Sequence, residues 1–208
     1  MLRIPRHITK PSRYTGNEPN AVRDRGRRAK VRFALCYPDL YDIGMSYYGL
    51  FLLYEIANSV EGVWCERCFA PWQDMEEHLR RSGEPLVTLE SRTPLASMDL
   101  VGFSLSYELN ITNVLNMLAL SRIPIRAAER GPNDPIVVCG GPLTLNPKPF
   151  EAFFDLVVVG EGERVLRDML ERLRDLKGST RGRIVEELAR LEGVYSPLFT
   201  PGKVVKRL

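Results

Sequence analysis

Histidine is nearly absent from this chain: two in 208 residues, His7 and His78. Serine and cysteine nucleophiles need an imidazole beside them, and with so few histidines no such pair can be argued. Cysteine is sparse too. Cys36, Cys65, Cys68 and Cys139 are too few and too scattered for a secreted disulfide framework. Cys65-Glu-Arg-Cys68 is a lone C-x-x-C inside Val63–Phe69, a run that reads as a strand. Residues three apart on a strand point to opposite faces, so the two thiols diverge. Zinc needs two further ligands at a matching spacing, which the two histidines do not supply. A redox pair belongs at a helix start, and this one is not there. A reduced, cytoplasmic protein fits these absences.

Long apolar runs are missing as well. The uncharged stretch Leu109–Ser121 is broken by Asn110, Asn113 and Asn116, short of the roughly 20 apolar residues of a membrane span. The N-terminus has no apolar h-region of a secretory signal. What remains is an ordinary globular mix, 44% hydrophobic and 26% charged, long enough to bury a sizeable core.

Charge is unevenly placed. Residues 1–32 hold ten Lys/Arg against Glu18 and Asp24, a balance of +8 within a chain of net +3, so the rest sums to −5. Such an arm can meet nucleic acid, but apart from Tyr14 it lacks interleaved aromatics and no binding motif follows. It reads instead as an extended basic arm, residues 1–30, lying on an acidic neighbour. Pro5, Pro11, Gly16 and Pro19 interrupt any amphipathic transit helix.

Behind the arm, strand and helix patterns alternate. Val31–Tyr37, Val63–Phe69, Leu86–Leu89, Leu100–Leu105, Pro135–Cys139 and Leu156–Val159 read as strands, the last two as the continuous apolar runs of buried parallel strands. Helices are expected from Ser46, as N-cap, to about Asn58, over Pro71–Ser82 with Gly83 as the stop, over Glu108–Ser121, over Gly162 to about Lys177, and over Arg181–Leu191. The pattern predicts an α/β domain over 31–178, a doubly wound and mainly parallel sheet of the flavodoxin-like or Rossmann-like kind. Residues 179–208 are expected to form a C-terminal helix, an extended tail and the start of a linker.

Ligands bind such sheets beyond the carboxyl ends of the strands. That selects the loops Pro38–Gly49, Ser104–Glu108, Gly140–Pro149 and Gly160–Glu163. Each carries glycine, a small hydroxyl residue or proline, which suits close approach of a ligand to the backbone. Gly160-Glu-Gly-Glu163 is neither G-x-G-x-x-G nor a P-loop. Its carboxylates repel phosphate and suit the positive end of the following helix, so Glu161 and Glu163 read as capping residues. A receiver domain needs a phosphoacceptor aspartate at a strand end, and the loops beyond Asp39 and Asp42 supply none. The residues alone support a binding domain with an open cleft.

Several segments then carry a resemblance. Ile136–Pro142, Phe150–Glu163 and Asp99–Ser106 resemble the cobalamin-binding-type domain that precedes a radical SAM domain. Arg13-Tyr14-x-Gly16, Tyr37–Ser46, Phe69–Met75, Glu90-Ser-Arg92 and Tyr107-Glu108-Leu109 are similar to one family of such proteins, often called Fe–S oxidoreductases. The likeness runs from about residue 11 to about 197. It implies cobalamin over the strand tips, with Asp42, Gly44, Met45, Ser104, Ser106, Gly140, Gly141, Pro142, Gly160 and Gly162 as cofactor-binding residues. It also implies a radical SAM domain of the same polypeptide as partner and a small-molecule cofactor or substrate; the missing apolar runs already argue against a membrane partner.

Two departures qualify it. The C-x3-C-x2-C that holds a 4Fe–4S cluster is absent, so SAM, the cluster and catalysis are expected in a following domain, toward which Lys203, Lys206 and Arg207 look like the start of a linker. The D-x-H-x-x-G whose histidine ligates cobalt is also absent. Asp42-Ile-Gly-Met-Ser-Tyr stands in that loop, leaving Met45, Tyr47, Tyr48 or water for the lower face of the corrinoid. One expectation is a cofactor-binding module; the other is a docking domain that has kept the fold and lost the cofactor.

Overall fold

The apolar runs of the sequence become five parallel strands in a computed structural model that describes residues 4–23 and 29–199. Arg25, Arg27 and Arg28 of the arm and Lys203, Lys206 and Arg207 of the tail lie outside the described residues. In chain order the elements are β1 (Val31–Tyr37), the short helix α1 (Tyr41–Gly44), α2 (Tyr48–Ser59), β2 (Val63–Phe69), α3 (Gln73–Ser82), β3 (Leu100–Ser104), α4 (Asn110–Leu120), β4 (Ile136–Gly140), β5 (Leu156–Val158), α5 (Gly162–Asp175), α6 (Arg181–Ala189) and β6 (Val194–Tyr195). The sheet order is β2-β1-β3-β4-β5-β6. β1 to β5 run parallel, and β6 pairs antiparallel with β5. The chain therefore reverses its direction of growth between β1 and β3, the switch point of a doubly wound flavodoxin-like sheet.

Alternation along the strands feeds two cores. Phe33, Leu35, Leu100, Val138 and Leu156 face α2, α5 and α6; Ala34, Cys36, Val101, Phe103, Val137 and Cys139 face α3 and α4. Cys65 belongs to the first core and Cys68 to the second, the divergence expected for residues three apart on a strand. On α5 the stripe Val165, Met169, Leu170 and Leu173 is buried, and burial of each such side chain is worth about 1.5–3 kcal/mol. α6 and β6 pack on the same sheet through Val185, Leu188 and Val194.

Three local expectations are corrected. Leu86–Leu89 forms no sheet strand; its segment makes one isolated bridge, Val87 to Pro94. Instead it covers the exposed edge of β2: Leu89 N donates to Arg67 O at 2.8 Å, and Glu90 Oε2 accepts from Arg67 N at 2.7 Å. Asn58 does the same two residues earlier, bonding both backbone groups of Cys65. An edge strand so occupied cannot recruit another chain. Ser46 does not cap α2, which starts after Tyr47; its hydroxyl donates to Asp42 O at 3.0 Å, closing α1 instead. Glu161 does occupy the N-cap position of α5, but its side chain makes no capping hydrogen bond.

The described part of the basic arm lies on its own domain. Lys10 and Arg13 both pair with Asp42, at 2.8 and 2.5 Å. Thr9 N donates to Asp74 Oδ2 at 2.7 Å, and Ile8 is buried in the second core. Glu18 reaches Arg67 at 2.7 Å and accepts from the Tyr41 hydroxyl at 2.6 Å. At the opposite end of the sheet Asp155 Oδ2 joins Arg130 at 3.0 Å, Arg181 at 2.7 Å and the amide of Val137 at 2.8 Å.

Candidate functional site

Side-chain size falls along the strands on the face under α2 and α5. The inward residues are Leu100, Gly102 and Ser104 on β3, and Ile136, Val138 and Gly140 on β4; Leu156 and Val158 on β5 are followed by Gly160. Large residues fill the N-terminal half, and a hydrogen or a hydroxymethyl group stands at the C-terminal half. The result is a cleft of about 400 Å³ between the sheet and the two helices. Phe33, Leu35, Val138 and Val158 close its deep end; Tyr47 and Leu53 form one wall, Leu166 and Met169 the other.

Two glycines are required by close approach. A Cβ on Gly102 would stand 2.8 Å from the Phe33 ring, so only glycine lets that ring lie across β3. Gly141 has φ +109°, and a Cβ there would overlap the carbonyl of Leu105. The turn Pro142–Leu145 that follows is fastened by Thr144, whose buried hydroxyl contacts Gly141 O at 2.8 Å and Val158 O at 2.6 Å. Leu105 N donates to Gly140 O at 2.8 Å, which locks the lip of the cleft to β3.

Of the residues singled out from the sequence, Ser104, Gly140, Gly141, Pro142, Gly160 and Gly162 all line the cleft. Ser104 is 6% exposed and makes no hydrogen bond through its hydroxyl to another described residue, so that group faces the cavity. Ser106 stands off the cleft, 3.3 Å from the Tyr37 hydroxyl; the Tyr37 ring packs on that of Tyr47 at 5.3 Å. Asp42, Gly44 and Met45 lie elsewhere. Asp42 is the anchor of the arm; Gly44 gives room to the Phe69 ring; the Met45 thioether accepts from Arg67 at 3.3 Å. Neither histidine is at the cleft: the rings of His7 and His78 meet at a tilt, 5.5 Å apart, His78 on α3.

Other participants were not legible as site residues. Phe33, Gly102, Leu53, Leu166 and Met169 belong to strand and helix patterns that read as core. Asn110 anchors the loop after β3: its Oδ1 accepts from Ser106 N at 2.9 Å and Tyr107 N at 3.2 Å, and its Nδ2 donates to Pro38 O at 3.3 Å. It signals itself only as a polar residue in an apolar stretch. In the segments that follow β1 to β4, large apolar side chains stand in solvent: Ile43, Tyr48, Trp72, Tyr107, Leu109 and Leu145, of which Leu145 lines the cleft.

The cysteines fit no cluster. All four are buried, and burial raises the thiols of Cys36, Cys65 and Cys139 well above their ordinary value. Among the described residues no group of three His, Cys, Asp or Glu is placed to hold a metal ion, and no helix is long and apolar enough to cross a membrane.

Residues 49–197 match the family model described as "Radical SAM proteins, N-terminal". That span runs from the first turn of α2 to just past β6 and contains the whole cleft except its β1 and Tyr47 contributions. No curated protein and no solved structure matches the chain.

Proposed function

The chain belongs to the family of N-terminal regions of radical SAM proteins, and from that premise we propose that its cleft holds the nucleotide tail of a cobalamin-type cofactor. The observation that carries the reading is the Ser104 hydroxyl, which has no partner among the described residues and opens into the cleft from a floor lined by Gly102, Gly140 and Gly160. A hydroxyl so placed is free to donate to or accept from a ligand that enters the cleft. Gly140, Gly160, Leu53, Leu166 and Met169 are the residues that would hold the base of such a tail. Such apolar clefts with a few convergent polar groups are where small molecules bind.

Neither the methionine nor the histidines fit as a protein ligand for cobalt, which leaves Tyr47, Tyr48 or water. The Met45 thioether is engaged by Arg67, and both histidines lie beside α3. When bound, the cofactor supplies a cobalt centre able to carry a methyl group. The chain's own part is to bind the tail, keep water from it and orient the ring at the strand tips. The exposed apolar side chains that follow β1 to β4, Ile43 to Leu145, support a role in docking the radical SAM part of the same polypeptide, which would hold SAM and the 4Fe–4S cluster. Such a module is non-catalytic by itself and works in the cytoplasm.

The placement of the histidines favours a second reading, a docking domain that has kept the fold without the cofactor. Titration of the 208-residue chain with hydroxocobalamin, followed in the visible spectrum, separates them. Saturable binding in the micromolar range, about −8 kcal/mol at 1 μM, supports the cofactor reading. No saturation up to about 1 mM, where binding is worth only about −4 kcal/mol, leaves the docking domain.

A further inference from the structure

The charged residues along the cleft are Glu161, which is exposed, and Glu163, which is half-buried. They flank Gly162 at the first turn of α5, a helix of 14 residues. The N-terminus of such a helix carries about half a positive charge and ordinarily attracts anions. Here two full negative charges stand on it. Glu161 makes no capping bond, and neither carboxylate is drawn into an ion pair among the described residues. The mouth is therefore negative where the backbone alone would make it positive.

A ligand reaching the unpartnered Ser104 hydroxyl buries an apolar body in the cleft and leaves its polar end beside α5. An anionic end there meets like charge. An amide or ammonium N–H instead finds a charged acceptor, the stronger class of hydrogen bond.

We infer that the cleft selects uncharged or cationic ligands with N–H-bearing ends and rejects those ending in phosphate, sulfonate or carboxylate, with Glu161 and Glu163 as the specificity determinants. The inference rests on the reading of the cleft as a ligand site. For a corrinoid it means that carboxamide groups, rather than the phosphodiester, face α5.

N-phenyl-1-naphthylamine and 1-anilinonaphthalene-8-sulfonate share an apolar body and differ by one sulfonate, so they isolate the charge. In fluorescence titrations of the 208-residue chain the neutral probe binds at least about tenfold more tightly, a difference of about 1.4 kcal/mol. The Glu161→Gln/Glu163→Gln variant brings the two within about twofold, and Gly140→Leu abolishes binding of the neutral probe. In the unmodified chain the preference shrinks as salt rises from about 0.01 to 1 M, where the screening length drops from about 30 to 3 Å; this measurement needs no variant to fold. The inference is overturned by equal binding of the two probes, by no binding of the neutral one, by a preference indifferent to salt or to the double substitution, or by neutral-probe binding that survives Gly140→Leu. Loss of hydroxocobalamin binding with the probe selectivity intact removes the cofactor reading alone.

Discussion

Ser104 and Gly140 are register partners across β3 and β4, and together they form the last inward rung of the sheet beneath α2 and α5. The rung behind them pairs Gly102 with Val138, and the one before that Leu100 with Ile136. The cleft exists because this rung is small. A Cβ on Gly140 would meet only the Cβ of Val158, at an ordinary 3.6 Å, so a larger side chain there has room to enter the cavity. Gly140→Leu is expected to fold, as judged by circular dichroism, and to lose hydroxocobalamin binding by at least about tenfold, or about 1.4 kcal/mol.

Its neighbour responds differently. Gly141 has φ +109° and stands against the Leu105 carbonyl, so any side chain is strained there. Gly141→Ala is expected to lower the urea unfolding free energy by about 1–3 kcal/mol from backbone strain. Gly140→Ala, in an ordinary strand conformation, is expected to change it by no more than about 1 kcal/mol. Equal effects at the two positions would remove the distinction between a binding glycine and a folding glycine.

Asp155 sets the opposite end of the sheet. Its carboxylate is buried with the Arg130 side chain, and burial lowers the Arg130 guanidinium pKa despite the Asp155 charge beside it. Removing the carboxylate strands that cation. Asp155→Ala is therefore expected to cost about 3–5 kcal/mol in urea unfolding, with no direct effect on the cleft.

The strands, the two faces and the glycine loops were legible in the sequence because each depends on local pattern: alternation, apolar run length, and positions that tolerate only glycine. What was not legible depends on partners distant in the chain. Leu86–Leu89 has strand composition but serves as the cover of β2, because Glu90 reaches Arg67. β6 is two residues long and leaves no periodic trace. Asp42 and Met45 stand in the loop where a switch-point ligand is expected, yet Lys10, Arg13 and Arg67 hold them; only the fold brings those cations there. Phe33, Leu166 and Met169 line the cleft with the same side chains that elsewhere fill the core. A run of residues does not record whether its neighbour across the layer is large or absent.

The burial of the four thiols can be tested directly. Cys36 and Cys68 are register partners, but both are sealed in the second core, and burial pushes the Cys36 thiol well up. Reaction with a water-soluble disulfide reagent at about pH 8, where a free thiol is substantially ionised, is expected to modify none of the four in the native chain within minutes and all four in guanidinium. A rapidly reacting thiol in the native chain would place a functional cysteine within solvent reach.

Acid is expected to release the arm before it unfolds the sheet. Lys10, and with it Arg13, holds the Asp42 carboxyl below its ordinary value. Burial raises Asp74, but hydrogen bonds from Thr9 outweigh it and leave that carboxyl lowered. Glu18 is likewise lowered, the hydroxyl of Tyr41 and the charge of Arg67 overcoming its burial. A carboxylate whose folded pKa is depressed contributes stability that is fully present above its unfolded pKa, about 4, and is lost as pH falls through the folded value. All three groups tie the arm to the domain, so their protonation acts in one direction. Trp72 reports the event, because the Arg13 guanidinium lies 5.2 Å from the centre of its ring, and so does Trp64, whose Nε1 donates to Val22 O at 3.1 Å. Between about pH 5 and pH 3, tryptophan emission and protease cleavage within residues 4–23 are expected to change together while far-ultraviolet dichroism holds. Asp42→Asn is expected to make the arm more readily cleaved already at pH 7 and to shrink the acid transition. An arm equally protected at pH 3 and pH 7 would show that Lys10, Arg13 and Thr9 do not hold it through these carboxylates.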